Sequence, residues 1–288
     1  MQTTESYRGG PRAGASPTSP LANRVSAPEL SAVFTGQPCL MSLFATSATP
    51  EEHAAGRLGD AKLAQLAAAF AADGVCVLTD VIPAGVLDKA AARLDYDAAL
   101  MIADRIGAAA RGEEDETFGG VDGRHLEVGL PRTAEFAFPE MLVNGVIESC
   151  VRELLGPAFV RYWCGNCACP GSGVQPLHQD GGGWSVATPE EAAAAGVAWP
   201  HPAYKLSVNF GVDAMVPENG STDVWLGSHL VTEAAAGPLS AELQAERRKV
   251  RPPVQLTVPK GGVAFRELRV WVRVTPLFRA VACCAVSG

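Results

Sequence analysis

No stretch of this 288-residue chain reaches the length of about 18 consecutive apolar residues that a membrane-crossing helix needs, so no transmembrane segment is expected. Positive charge is also lacking. The net charge is -8, and no basic cluster offers a footing for nucleic acid or another polyanion. The same lack disfavours a coenzyme A diphosphate as part of the substrate. Eight cysteines in a chain this long do not form a disulfide framework. Histidine is scarce: His53, His125, His178, His201 and His229 are the whole supply. What is abundant is apolar content, at 48%. That is enough for one sizeable core, and the chain reads as a globular protein of cytoplasmic type.

Residues 1–50 differ from the rest. They are rich in Ser, Thr, Pro, Gly and Ala, and carry Arg8, Arg12 and Arg24 against Glu5 and Glu29. Such a segment buries too little apolar surface to offset its chain entropy and is expected to be disordered. It lacks the compact apolar stretch of a secretory signal, while its composition also suits an organellar transit peptide. Met41 offers an alternative start just ahead of the folded part.

Residues 51–288 form the expected folded domain. Leu63, Leu66, Ala67 and Phe70 fall on one helical face, and Asp73-Gly74 ends that helix. Val75-Cys76-Val77-Leu78 predicts a short strand, and Pro83 opens a second helix carrying Leu87, Ala91 and Leu94. Residues 111–125, charged and glycine-rich, predict a mobile loop. A third helix is expected from Pro139 to Leu155, stopped by Gly156-Pro157. From Phe159 onward short apolar segments alternate with turns, which points to a jelly roll. Thr188-Pro189-Glu190-Glu191 reads as a capping box opening a short helix that closes at Gly196.

The motif that bears on chemistry is His178-Gln179-Asp180. Residues i and i+2 of a strand project from one face, so this imidazole and carboxylate could address a single cation. They supply two thirds of the two-His-one-carboxylate set that holds non-haem Fe(II). Alone the tripeptide is a weak signal, and the bland alternative is a strand-end histidine hydrogen-bonded to a neighbouring aspartate. Its context adds weight. Tyr204–Asp213 alternates like a half-buried strand, Pro217-Glu218-Asn219-Gly220-Ser221-Thr222 makes a turn on an Asn-Gly pair, and Leu226-Gly227-Ser228-His229 and Lys260-Gly261-Gly262-Val263-Ala264-Phe265 follow.

In that order, from about Asp60 to Trp271, these pieces resemble the phytanoyl-CoA dioxygenase family of Fe(II)/2-oxoglutarate oxygenases. Leu226 stands where that family usually has Pro. The resemblance implies a mainly β double-stranded β-helix of cupin type, buttressed by flanking helices. It implies Fe(II) held partly by His178 and Asp180, with 2-oxoglutarate and O2 as co-substrates. The reaction implied is hydroxylation of a small organic substrate, coupled to conversion of 2-oxoglutarate to succinate and CO2. It also implies a distal metal histidine in a strand reading Leu-Arg-Val-Trp-His-Arg-Gly. This chain has Leu268-Arg269-Val270-Trp271-Val272-Arg273-Val274. Valine has no donor atom, so Val272 cannot bind iron.

After Trp271 the resemblance stops abruptly, and the tail to Gly288 is expected to fall short of the family's last strand, leaving the barrel C-terminally truncated with open edges. A shifted reading frame or retained intron near codon 272 accounts for this, as does genuine loss of activity. Three readings therefore stand: an oxygenase, a catalytically inactive barrel, and an unstable truncated product. Arg279 lies near where the family carries its 2-oxoglutarate arginine, but the divergent tail forbids assigning it that role.

Other residues complete the inventory. His53 and His125 are expected at the surface, His201 in a loop between two prolines, and His229 in a structural role. Cys164, Cys167 and Cys169 contain half a zinc pattern without a second half, and read better as free thiols on a barrel strand. Trp184, after the glycine run Gly181-Gly182-Gly183, and Trp199, in the following insertion, are candidates for the wall of a substrate pocket.

Overall fold

Val75-Cys76-Val77-Leu78 is apolar on both sides because the strand it forms is covered on both sides. The computed structural model describes residues 43–112, 125–157, 159–169, 172–181, 188–196, 198–199, 202–231, 237–274 and 279–287. β1 (Ala45–Ser47) pairs in parallel with β2 (Val75–Thr79), whose other edge pairs with a strand nearly two hundred residues later. Cys76 and Leu78 face a helical layer, whereas Val75 and Val77 face the interior between two sheets.

The helical layer follows the expected pattern. α1 (Pro50–Ala55) is opened by a Thr49–Glu52 capping box. α2 (Asp60–Asp73) buries Leu63, Leu66 and Phe70 and stops at Gly74, whose φ of 72° is left-handed. No side chain fits there: a Cβ on Gly74 would lie 2.4 Å from Val270 Cγ2 and 2.5 Å from His229 Nδ1. α3 (Ala84–Ala110) is longer than the apolar spacing required. The helix expected over 139–155 is two, α4 (Pro139–Leu142) and α5 (Gly145–Leu155), because Asn144 caps the second by accepting from the Val146 and Ile147 amides.

The remaining elements in chain order are β3 (His125–Glu127), β4 (Phe159–Ala168), β5 (His178–Gln179), α6 (Pro189–Ala195), β6 (Lys205–Gly211), β7 (Asp223–Trp225), β8 (Gly237–Pro238), α7 (Ala241–Val250), β9 (Val254–Gln255), β10 (Val263–Glu267), β11 (Trp271–Arg273) and β12 (Arg279–Ser287). The larger sheet runs β1-β2-β10-β6-β12-β4-β3, and the smaller β8-β5-β11-β7-β9. From β4 onward the chain crosses repeatedly between them, which is the winding of a double-stranded β-helix.

Two expectations need correction. Helix outweighs strand among the described residues, so the fold is mixed α/β rather than mainly β. The barrel is also not open where a truncated chain would leave it open. β12 lies between β4 and β6, pairing Arg279–Ser287 with Phe159–Cys167 on one side and Ala280–Val286 with Lys205–Gly211 on the other. The tail that departs from the family pattern still supplies a central strand. Residues 1–42, and with them Met41, lie outside the described residues, as does 113–124 of the expected loop. Among the described residues no helix is long and apolar enough to cross a membrane.

Candidate metal centre

β5 is two residues long, and its surroundings place His178 and Asp180. His178 pairs across the smaller sheet with Val272 of β11 and, on its other side, with Pro238 of β8. Immediately after the strand, the Asp180 and Gly181 amides both donate to the Leu268 carbonyl, at 3.1 and 2.8 Å. Gly181 passes close to that backbone, where a Cβ would sit 3.2 Å from Leu268. The His-x-Asp segment is thus tied at both ends to the chain around β11.

The two side chains do come together. His178 Nε2 lies 3.1 Å from Asp180 Oδ1, and His178 Nδ1 lies 2.7 Å from the Pro176 carbonyl. The hydrogen bond to Asp180 raises the imidazole's pKa above its ordinary value. Asp180 has a further partner that sequence reasoning missed. Arg266 Nη2 reaches Asp180 Oδ2 at 2.5 Å. Burial alone would raise the Asp180 pKa, but the Arg266 charge and the His178 hydrogen bond outweigh it and hold the carboxyl far below the usual carboxylate range.

Arg266 could have been suspected from its pattern. It interrupts the apolar run Val263-Ala264-Phe265, two residues after Ala264 and therefore on the same face of β10. Ala264 faces the space between the sheets while Val263 and Phe265 face the helices.

The residue opposite His178 is Val272, 2% exposed and packed in one cluster with Val224, Ala264 and Val270. An iron site of the expected kind needs three donors from the protein. Here the third position carries a valine, both Asp180 oxygens are engaged, and both imidazole nitrogens face acceptors. Among the described residues no group of three His, Cys, Asp or Glu side chains could hold a metal ion. The residues present do not fit Fe(II).

The other histidines do not repair this. His53 is exposed and its Nε2 lies 2.6 Å from the Asp80 carbonyl. His125, expected at the surface, is instead buried at 3% exposure: β3 is stitched to β4, and its Nε2 lies 2.8 Å from the Gly173 carbonyl. His229 is buried with its Nε2 3.2 Å from the Ala71 carbonyl at the end of α2, a structural role. His201 and Trp184 lie outside the described residues. Trp199 is 36% exposed, just past α6, whose Thr188 Oγ1 accepts from the Glu191 amide as a helix cap should. Cys167 Sγ and Cys169 Sγ sit 3.5 Å apart, buried and not joined as a disulfide, on and just past β4. Arg279 opens β12 opposite Cys167.

A separate cavity of about 630 Å³ opens between the 129–137 segment, α4 and β4. Arg132, Phe136, Arg161, Tyr162 and Trp163 contribute to its wall. Nothing in the sequence marked it, because its wall joins residues 129–142 to a part of β4 that only the fold brings beside them.

The profile of the phytanoyl-CoA dioxygenase (PhyH) family matches residues 70–271, ending one residue before Val272. Solved structures share the fold at low identity. EvdMO1 is 17% identical with a TM-score of 0.52, over 78% of this chain and 50% of that one, so this chain spans about half its length. The non-heme alpha-ketoglutarate-dependent epimerase SnoN from nogalamycin biosynthesis is 16% identical with a TM-score of 0.53, over 80% of this chain and 84% of that one. EctD from S. alaskensis, solved with 2-oxoglutarate and 5-hydroxyectoine, is 19% identical with a TM-score of 0.50, over 80% of this chain and 76% of that one.

Proposed function

The chain belongs to the phytanoyl-CoA dioxygenase family, and from that membership we propose that its barrel descends from an Fe(II)/2-oxoglutarate-dependent hydroxylase of a small organic substrate but is catalytically silent with the residues it carries. One observation bears most of the weight: Val272 stands directly across from His178, in the place where the family pattern calls for the distal metal histidine. With two donors instead of three, iron affinity falls steeply, because a metal site's binding energy is spread over its ligands. The pairing of β12 on both edges favours a folded, silent barrel over an unstable truncated product.

The test is 2-oxoglutarate consumption by the purified chain, supplied with Fe(II), ascorbate and O2 across a broad panel of small substrates. Succinate formation is expected to stay at the level of a no-protein control. Succinate produced above that level, and lost in a His178→Ala variant, overturns the reading. Thermal unfolding of the same preparation is expected to be cooperative, and a broad non-cooperative melt returns the choice to the unstable product.

A further inference from the structure

We propose that Arg266 is the resident cation of this site: its guanidinium, carried across the barrel from β10, holds Asp180 Oδ2, and its fixed charge beside the carboxylate closes the site to metals independently of Val272. The inference deepens the silent-barrel reading but rests on a different residue, so each can fail alone.

The strand period places Arg266 with Ala264 on the inner face of the larger sheet, opposite Ser207 of β6. A guanidinium there must be compensated, since it is only 7% exposed. The partner is Asp180, just past β5 of the smaller sheet, so the ion pair spans the interior and links the two halves of the barrel. Asp180 meanwhile receives His178 on its other oxygen. The trio is close to charge-balanced without a metal. A divalent ion bound to Asp180 at roughly 2.0–2.2 Å would lie beside a fixed positive charge in a poorly screened interior, and the repulsion there is large. Arg266 leaves the carboxylate anionic but already paired on Oδ2, so a divalent ion finds its charge largely neutralised. Supplying a histidine at position 272 therefore does not by itself restore a centre. Arg266 Nη1 is buried with no hydrogen-bond partner, so the Asp180 ion pair is the main compensation for its burial.

The experiment titrates Co(II), a spectroscopic stand-in for Fe(II), into the wild-type chain, Val272→His, Arg266→Gln and the double variant Val272→His/Arg266→Gln. Binding is followed by calorimetry and by cobalt's visible absorption. Wild type and Val272→His are expected to bind weakly and alike. The double variant is expected to bind at least tenfold more tightly, and Co(II) should raise its melting temperature while leaving that of Val272→His unmoved. If Val272→His alone binds as tightly as the double variant, or the double variant gains nothing, the proposal is overturned while the silent-barrel reading stands. Tight Co(II) binding by the wild type, lost in His178→Ala, overturns the silent-barrel reading instead.

Because substitutions at 272 could compromise folding, a metal-free cycle of Asp180→Asn, Arg266→Gln and the pair of both supplies a second readout. Each single change is expected to lower the melting temperature, and the combined variant should lose less than their sum. Additive losses mean that Arg266 and Asp180 do not act as a pair, and that too overturns the proposal.

Discussion

Gly74 and His229 show how tightly single residues are constrained where α2 meets the barrel. Gly74 is left-handed at the helix end, its carbonyl accepts from the Glu267 amide at 2.8 Å, and the space a Cβ would need is filled by Val270 and His229. Gly74→Ala is expected to cost roughly 2–4 kcal/mol, backbone strain adding to overpacking, as read from urea unfolding. His229 carries a pH dependence. Burial pushes its pKa down from 6.5 to about 4, so the folded protein keeps it neutral where the unfolded chain protonates it. The unfolded state binds more protons as pH falls from 6.5, and stability is lost on acidification through that window, by up to about 3 kcal/mol near pH 4. His229→Gln should flatten the unfolding free energy between pH 6.5 and 4. An unchanged slope in that variant would show the loss comes from elsewhere. Glu52 acts lower: burial opposes its ionisation, but Lys62 and the Gly59 and Thr49 amides prevail and bring its pKa to about 2. Its contribution is present above 4.5 and is lost as pH falls toward 2, so the two windows meet only near pH 4.

Among the elements, those whose limits are set by local chemistry were legible in the sequence. The end of α2 at Gly74, the strand at Val75 and the helix closing at Gly196 each carry their own stop or start signal. His178 and Asp180 were legible as a pair because they are two residues apart at a strand end. Arg266 was not read as part of the site, since its partner lies 86 positions away. β12 was missed for a related reason. Nothing inside Arg279–Ser287 announces its neighbours, and its place is decided by β4 and β6, which meet it along nearly their whole lengths. A chain ending at Thr275 is expected to leave two unpaired edges in the middle of the larger sheet and to lose its cooperative thermal transition, followed by circular dichroism. A sharp melt in that shortened chain would mean that β12 contributes little to the barrel.

The whole molecule joins early segments to late ones. β2 pairs with β10, Arg251 Nη1 binds Asp73 Oδ1 at 2.7 Å, and the Gly227 amide donates to the Asp73 carbonyl at 2.7 Å. One apolar cluster contains Leu66 and Phe70 of α2, Leu87 of α3, Val146 and Cys150 of α5, and Val208, Phe210, Val263 and Phe265 of the barrel strands. The helices are therefore one half of the core on which the larger sheet rests, and among the described residues they are what covers the sheet's outer face. A chain starting at Phe159 keeps every strand from β4 to β12 but exposes that face and loses the strand beside β10. It is expected to aggregate or to show no near-ultraviolet circular dichroism from its tryptophans, including the Trp225–Trp271 pair whose rings stand 5.6 Å apart. The full chain should instead unfold in one transition, with far- and near-ultraviolet signals melting together. If the two signals part, helices and barrel are separable units and the shared core described here is not what holds them.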